Sequence, residues 1–215
     1  MNIAHHPPEE ILTAFAAGNL DEAQCLVVAI HVSQCPRCRR FVAAIEQLAG
    51  EALENIEPSP MVEAAFETLM ARIEAEPWAN AQAESAVREE RSEEDLPDLL
   101  RRYRIGKRRR VAPGVSMRPI LLSEGRSRAF LLESTPGTRM LEHSHTETEL
   151  TCVLKGSFSH QGGNFGPGDF DYGDGDVDHR PVVDSDGRCL CLVAMAGNLK
   201  MKGVIGRLIS PFVRL

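Results

Sequence analysis

The hydrophobic rhythm of the chain changes near its middle. Up to about residue 77, apolar positions recur at helical spacing in segments over 8–17, 21–33, 36–49 and 60–75, with Gly18, Gly50 and Pro58-Ser59-Pro60 between them. Asp21 suits the N-cap of the second segment, Pro36 the first turn of the third, and Ser59-Pro60 the cap and first turn of the fourth. In that fourth segment Val62, Phe66, Leu69 and Ile73 fall at i, i+4, i+7 and i+11. Such a stripe either closes an internal core or lies in a groove of a partner protein. From Val111 onward short apolar runs take over, such as Ile120-Leu121-Leu122, Ala129-Phe130-Leu131-Leu132 and 150–154, cut by Gly, Pro and Asp clusters. That is strand texture.

The pattern predicts an α+β chain of more than one domain. Residues 1–78 form a four-helix unit and 111–215 an all-β unit, with 79–110 as a charged linker. Asn80–Asp98 is rich in Glu, Asp, Ser and Arg and poor in large apolar residues, so it has little to contribute to a core. A chain of 215 residues, 43% hydrophobic, is long enough for two small cores.

Charge narrows the partner class. A net charge of −7 excludes a protein whose whole surface grips nucleic acid, since phosphate binding needs clustered Lys and Arg. Arg101, Arg102, Arg104, Lys107, Arg108, Arg109 and Arg110 make one basic run, read as a solvated face beside an acidic linker. Direct nucleic-acid binding is not expected. The N-terminus MNIAHHPPEE lacks a charged region followed by an apolar one, and no apolar stretch approaches the ~20 residues that span a bilayer. A cytoplasmic protein without membrane contact is expected. Six cysteines are few for a disulfide scaffold of this length, and two of them stand in a CxxC close to a histidine, which favours thiolate–metal chemistry.

His31, Cys35 and Cys38 form HxxxCxxC, the histidine near the end of the second helix and the cysteines at the start of the third. Residues four apart share a helical face, and a helix N-terminus favours a thiolate, so three soft ligands converge. A closed structural zinc site takes four ligands in a tetrahedron. The His5-His6 pair is the nearest source of the fourth. His6, beside Pro7-Pro8, is preferred, because the two prolines fix the direction of the preceding imidazole; His5 is the alternative. Cys25 sits among Leu26, Val27, Val28 and Ile30 and reads as packing.

With its upstream histidine, HxxxCxxC in a short helical region carrying AAGNLDEAQCLVVAIHVSQCPRC resembles the zinc-binding domains of ChrR-type anti-sigma factors. The resemblance covers residues 1–78. It implies that the first three helices and a separable fourth, with Val62, Phe66, Leu69 and Ile73, clamp an extracytoplasmic-function sigma factor around a structural Zn2+.

In the β region, Gly137, His143, His145, Glu149 and Gly156 fit G(x5)HxH(x3)E(x6)G, the first motif of the cupins. Alternate strand residues share a face, so His143 and His145 point the same way and Glu149 can join them. The resemblance implies a double-stranded β-helix, or jelly-roll barrel, and a further ligand from the second cupin motif. His179 is the candidate, although Gly173-Asp174-Gly175 stands where the family has a Pro-Gly pair and no Asn follows. Imidazole and carboxylate discriminate poorly between metals, so this set holds Zn2+ or another divalent transition metal. Cys189-Leu190-Cys191 places two thiols on one strand face, too far apart for an easy disulfide but within redox reach. Resemblance to ChrR-type proteins ties these two cysteines to a response to singlet oxygen or organic hydroperoxide. Cys152 is expected to pack and His160 to be solvent-exposed.

These features together predict an anti-sigma factor, with no catalytic residues, that represses transcription until oxidative stress triggers release. The alternative is a metal-dependent cupin enzyme, such as a dioxygenase, with a regulatory helical domain.

Overall fold

The computed structural model describes residues 3–75, 96–123, 125–174 and 180–201, and the side chains of all of these except His145 and 199–201. Four helices come first: α1 (Glu9–Ala16), α2 (Glu22–Gln34), α3 (Pro36–Glu54) and α4 (Ala65–Ala75). A 3-10 turn (Asp98–Arg102) leads into strands β1 (Arg104–Ile105), β2 (Arg109–Ala112), β3 (Val115–Leu121), β4 (Arg128–Ser134), β5 (His143–His145) and β6 (Glu149–Lys155). There follow β7 (Phe158–His160), β8 (Gly163–Phe165), β9 (Phe170–Gly173), β10 (Val182–Val183), β11 (Cys189–Met195) and β12 (Leu199–Met201).

Every described strand pairing is antiparallel. The main sheet runs β1-β3-β4-β11-β6-β9, with β2 also on β3; β10-β7-β8 form a second sheet, and β12 pairs with β5. Met117, Phe130, Val153, Cys191, Val193 and Met195 of the main sheet meet Phe158, Phe165 and Val183 of the second in one apolar core. This is the sandwich of a cupin barrel.

In β11 nearly every position is buried, so the alternation expected of a half-exposed strand is missing. The reason lies on its other face. Odd-numbered residues of β11 enter the core between the sheets, while Leu192 and Ala194 are buried on the side where α2 packs against β4, β6 and β11. For its part, α2 buries Ala23, Leu26, Val27, Val28 and Ile30, residues that cover more than half of its circumference, because it packs against both the sheet and α1. Asp21 caps it in a reciprocal box: its carboxyl accepts from the Gln24 N–H at 3.0 Å, and the Gln24 side chain accepts from the Asp21 N–H at 3.3 Å. The second Asp21 oxygen accepts from the Ser127 N–H at 3.0 Å, tying the start of α2 to the loop before β4.

By compactness the chain falls into two units, one of Met1–Gln47 with Pro97–Leu215 and the other of Leu48–Leu96. Residues from the charged stretch thus enter the first unit: Leu100 is fully buried, and β1 and β2 pair with β3. The basic side chains of the run from Arg101 to Arg110 are exposed, as a solvated face requires.

Two helix boundaries differ from expectation. Gly50 does not end α3, which continues through the strong helix formers Glu51-Ala52-Leu53-Glu54; an interior glycine costs only about 1 kcal/mol. Ser59-Pro60 does not start α4. Ala64 takes a left-handed φ of 64°, which a helix cannot contain, so the first turn forms after it. Val62 therefore precedes α4, and only Phe66, Leu69 and Ile73 of the apolar stripe ride on it. No helix among the described residues is long and apolar enough to cross a membrane.

Candidate metal centre

The junction of α2 and α3 is built from local rules. His31 lies in the last turn of α2, Cys35 leaves that helix in extended conformation, and Pro36 opens α3 so that Cys38 sits in its first turn. Just before α1, Pro8 is extended at φ −53° and ψ 150°, and His6 stands two residues ahead of it. The ligand atoms of His6, His31, Cys35 and Cys38 lie within 4.8 Å of one another.

Three closer distances match the edges of a tetrahedral site. His6 Nδ1 is 3.4 Å from Cys35 Sγ and 3.5 Å from Cys38 Sγ, and His31 Nε2 is 3.3 Å from Cys38 Sγ. A tetrahedral zinc with Zn–N of about 2.0 Å and Zn–S of about 2.3 Å has N···S edges of roughly 3.5 Å, so the four donors fit such an ion. His31 is fully buried, and its Nδ1 donates to the Gly168 carbonyl at 2.8 Å. A carbonyl only accepts, so the proton is on Nδ1 and the Nε2 lone pair faces the thiols. Burial lowers the His31 pKa to about 4, which keeps the ring neutral and ligating. His6 is likewise lowered by burial, with Arg37 adding to the effect.

The thiol chemistry corrects one expectation. The start of a helix does not by itself hold Cys38 as a thiolate: burial first, then the neighbouring Cys35, push its thiol up to about 12 against the pull of Arg37. A bound dication reverses this balance by displacing the proton. Of the two N-terminal histidines, His6 enters the cluster, whereas His5 stacks on Phe165 with ring centroids 4.2 Å apart.

Sequence reasoning missed what braces these ligands. Asp169 is buried; its Oδ1 accepts from the Ala4 and His5 N–H groups at 2.7 and 2.9 Å, and its Oδ2 from the Gly166 N–H at 2.8 Å. The Phe170 N–H donates to the His5 carbonyl at 3.2 Å, and the Phe170 ring meets the His31 ring edge-on at 5.6 Å. The one local signal was Gly168, whose φ of 89° marks a tight turn in the run Gly166-Pro167-Gly168-Asp169-Phe170.

In the cupin, His143 is buried on β5, and its Nδ1 donates to the Leu141 carbonyl at 2.7 Å. Glu149 opens β6; burial, then Asp171, push its carboxyl up to about 8, and Thr151 donates to it at 3.3 Å. The backbone of His145 pairs with Leu199, but its side chain, like the whole of His179, lies outside the described residues. Cys189 and Cys191 are buried, with their Sγ atoms 3.6 Å apart. The contact with Cys189, then burial, raise the Cys191 thiol well above its ordinary value. Cys152 is fully buried. His160 is not solvent-exposed: its side chain is 6% exposed, donates from Nε2 to Asp171 at 3.0 Å, and stacks on Phe165 at 4.8 Å. Partners on β9 and β8 cover it.

Val62, Phe66, Leu69 and Ile73 are 82%, 65%, 53% and 51% exposed, and α4 buries no residue. These four apolar side chains of the described part of the 48–96 unit are thus open to solvent.

Known proteins agree with this layout. The anti-sigma-E factor ChrR of Cereibacter sphaeroides is 34% identical over 215 residues, all of both chains. This chain belongs to the ChrR anti-sigma factor family. The family of ChrR cupin-like domains matches residues 107–197, and a zinc-finger family matches 9–39, which takes in His31, Cys35 and Cys38 but stops short of His6. Among solved structures, Rhodobacter sphaeroides SigE in complex with the anti-sigma ChrR matches with a TM-score of 0.74 and 32% identity, over 90% of this chain and 99% of that one. The zinc-finger match and the His/Cys cluster together support a zinc site in the N-terminal region.

Proposed function

We propose that this chain is an anti-sigma factor, a regulator and not an enzyme, that sequesters an extracytoplasmic-function sigma factor in the cytoplasm without itself binding nucleic acid. The convergence of His6, His31, Cys35 and Cys38 carries the reading, since one Zn2+ on these side chains cross-links the segment before α1 to α2 and α3 and fixes their surface. Residues 1–78 are the sigma-binding domain. The outward apolar side chains Val62, Phe66, Leu69 and Ile73 fit a groove of the sigma factor, as the full-length kinship with an anti-sigma factor supports.

Residues 79–110 then join this domain to the cupin, 111–215, which takes the signal. A second divalent transition metal is held there by His143, His145, Glu149 and His179. Cys189 and Cys191, already in contact, are the thiols that register singlet oxygen or organic hydroperoxide, and their oxidation or that of the metal site releases the sigma factor.

Transcription from a sigma-dependent promoter with purified full-length chain tests the reading. Repression is expected, with relief on hydroperoxide challenge for the wild type and none for Cys189→Ser/Cys191→Ser. Relief undiminished in the double variant removes the thiols from the signal, and no repression by the wild type removes the function.

A further inference from the structure

The zinc ligands are held by a turn that belongs to the cupin. Leading from β8 into β9, residues 166–170 reach the N-terminal cluster twice. The Gly168 carbonyl takes the proton of His31 Nδ1 at 2.8 Å. The Asp169 carboxyl gathers the N–H groups of Ala4 and His5 at 2.7 and 2.9 Å, directly before the ligand His6, while its other oxygen takes Gly166 N–H at 2.8 Å. Three donors on one buried carboxyl leave it little freedom to rotate, and Phe170 N–H closes the same segment through the His5 carbonyl at 3.2 Å. Partners of this kind fix ligand orientation and tautomer in metal sites.

This turn is continuous with β9, whose Asp171 lies beside Glu149 and bonds His160 at 3.0 Å. His5 also stacks on Phe165 of β8, which in turn stacks on His160 at 4.8 Å. A backbone route and a ring-stacked route therefore run from the zinc ligands to the interior of the cupin.

We propose that Asp169 is a positioning residue for the N-terminal zinc site and that the 166–170 turn couples that site to the cupin. The proposal rests on the zinc reading above. Coupling is reciprocal by linkage: zinc orders the turn to the extent that the turn favours zinc. A cupin that shifts β9 thereby weakens the grip on His6 and His31 and loosens the sigma-binding surface.

The experiment uses the full-length chain in two measurements. In the wild type, amide exchange is followed with and without zinc. Loading is expected to slow exchange at Ala4, His5 and Phe170 as well as around the ligands, and exchange that changes only within α2 and α3 overturns the coupling. In parallel, competition with a chromophoric chelator measures zinc affinity. Asp169→Ala is expected to lose about 10- to 100-fold and Asp169→Glu less. Unchanged affinity in a folded Asp169→Ala chain overturns the positioning role. A wild-type chain that binds no zinc at the cluster defeats the zinc reading itself, an outcome distinct from zinc bound with exchange unmoved at the turn.

Discussion

His31 and His143 are both buried, and both give Nδ1–H to a backbone carbonyl, Gly168 at 2.8 Å and Leu141 at 2.7 Å. They differ in where the brace comes from. His31 finds two of its fellow ligands, Cys35 and Cys38, within seven residues, but its brace is 137 residues away. His143 has its brace two residues away, and two of the ligands proposed with it, His145 and Glu149, stand within six residues, with His179 farther along the chain. The two differ in their support: a turn far along the chain braces His31, and a residue two positions away braces His143. That difference teaches where each is vulnerable: movement of a distant turn takes the brace from His31, whereas His143 keeps its brace unless its own strand end moves.

The sharpest way to break the comparison is to remove a local ligand. Cys38→Ser deletes a donor from a site whose metal supplies on the order of 10 kcal/mol of folding free energy in comparable zinc modules. N-terminal zinc and sigma binding are expected to vanish together, by metal counting and pull-down, with the β-sheet of the cupin intact by circular dichroism. Full sigma binding without the metal contradicts the structural role.

Next in size is the contrast between a doubly covered strand and an exposed helix. Leu192→Ala, fully buried on the α2 side of β11, is expected to cost about 2–5 kcal/mol in urea unfolding. Phe66→Ala, at a site 65% exposed, should move stability by less than about 0.5 kcal/mol. Yet it should weaken sigma binding by roughly tenfold or more. If Phe66→Ala unfolds the chain and spares binding, α4 is core and not interface.

A smaller effect follows from His31 in the zinc-free chain. Its pKa falls from 6.5 to about 4 on folding, so the unfolded state binds the proton more readily. The stability this contributes is fully present above about pH 6.5 and is lost as pH falls through about 4. Urea midpoints of chelated protein should decline across that window and those of His31→Gln should decline less; equal slopes remove His31 as the cause. Smallest of all, Arg101→Ala breaks only an exposed pair with Asp98 at 3.2 Å and should stay within about 0.5 kcal/mol of wild type.

The same division between local and remote decided what could be read from the sequence. HxxxCxxC was legible because helix geometry turns spacing into convergence, and His6 because two prolines aim the residue before them. The Asp21 cap and Pro36 start were legible for the same reason. Asp169 and Gly168 were not, since nothing in a chain says which turn will meet a residue well over a hundred positions earlier. His160 was misjudged because its cover, Asp171 and Phe165, comes from other strands. The late start of α4 rests on a left-handed Ala64, a conformation with no sequence signal at alanine. Continuous burial along β11 reflects a helix laid across its outer face, a fact of tertiary packing.

The most direct test of the account is to purify the full-length chain with its cognate extracytoplasmic-function sigma factor and count zinc in the complex. The account predicts a stable one-to-one complex that carries N-terminal zinc and that Cys35→Ser abolishes. A chain that binds zinc through His6, His31, Cys35 and Cys38 yet leaves the sigma factor free would contradict it.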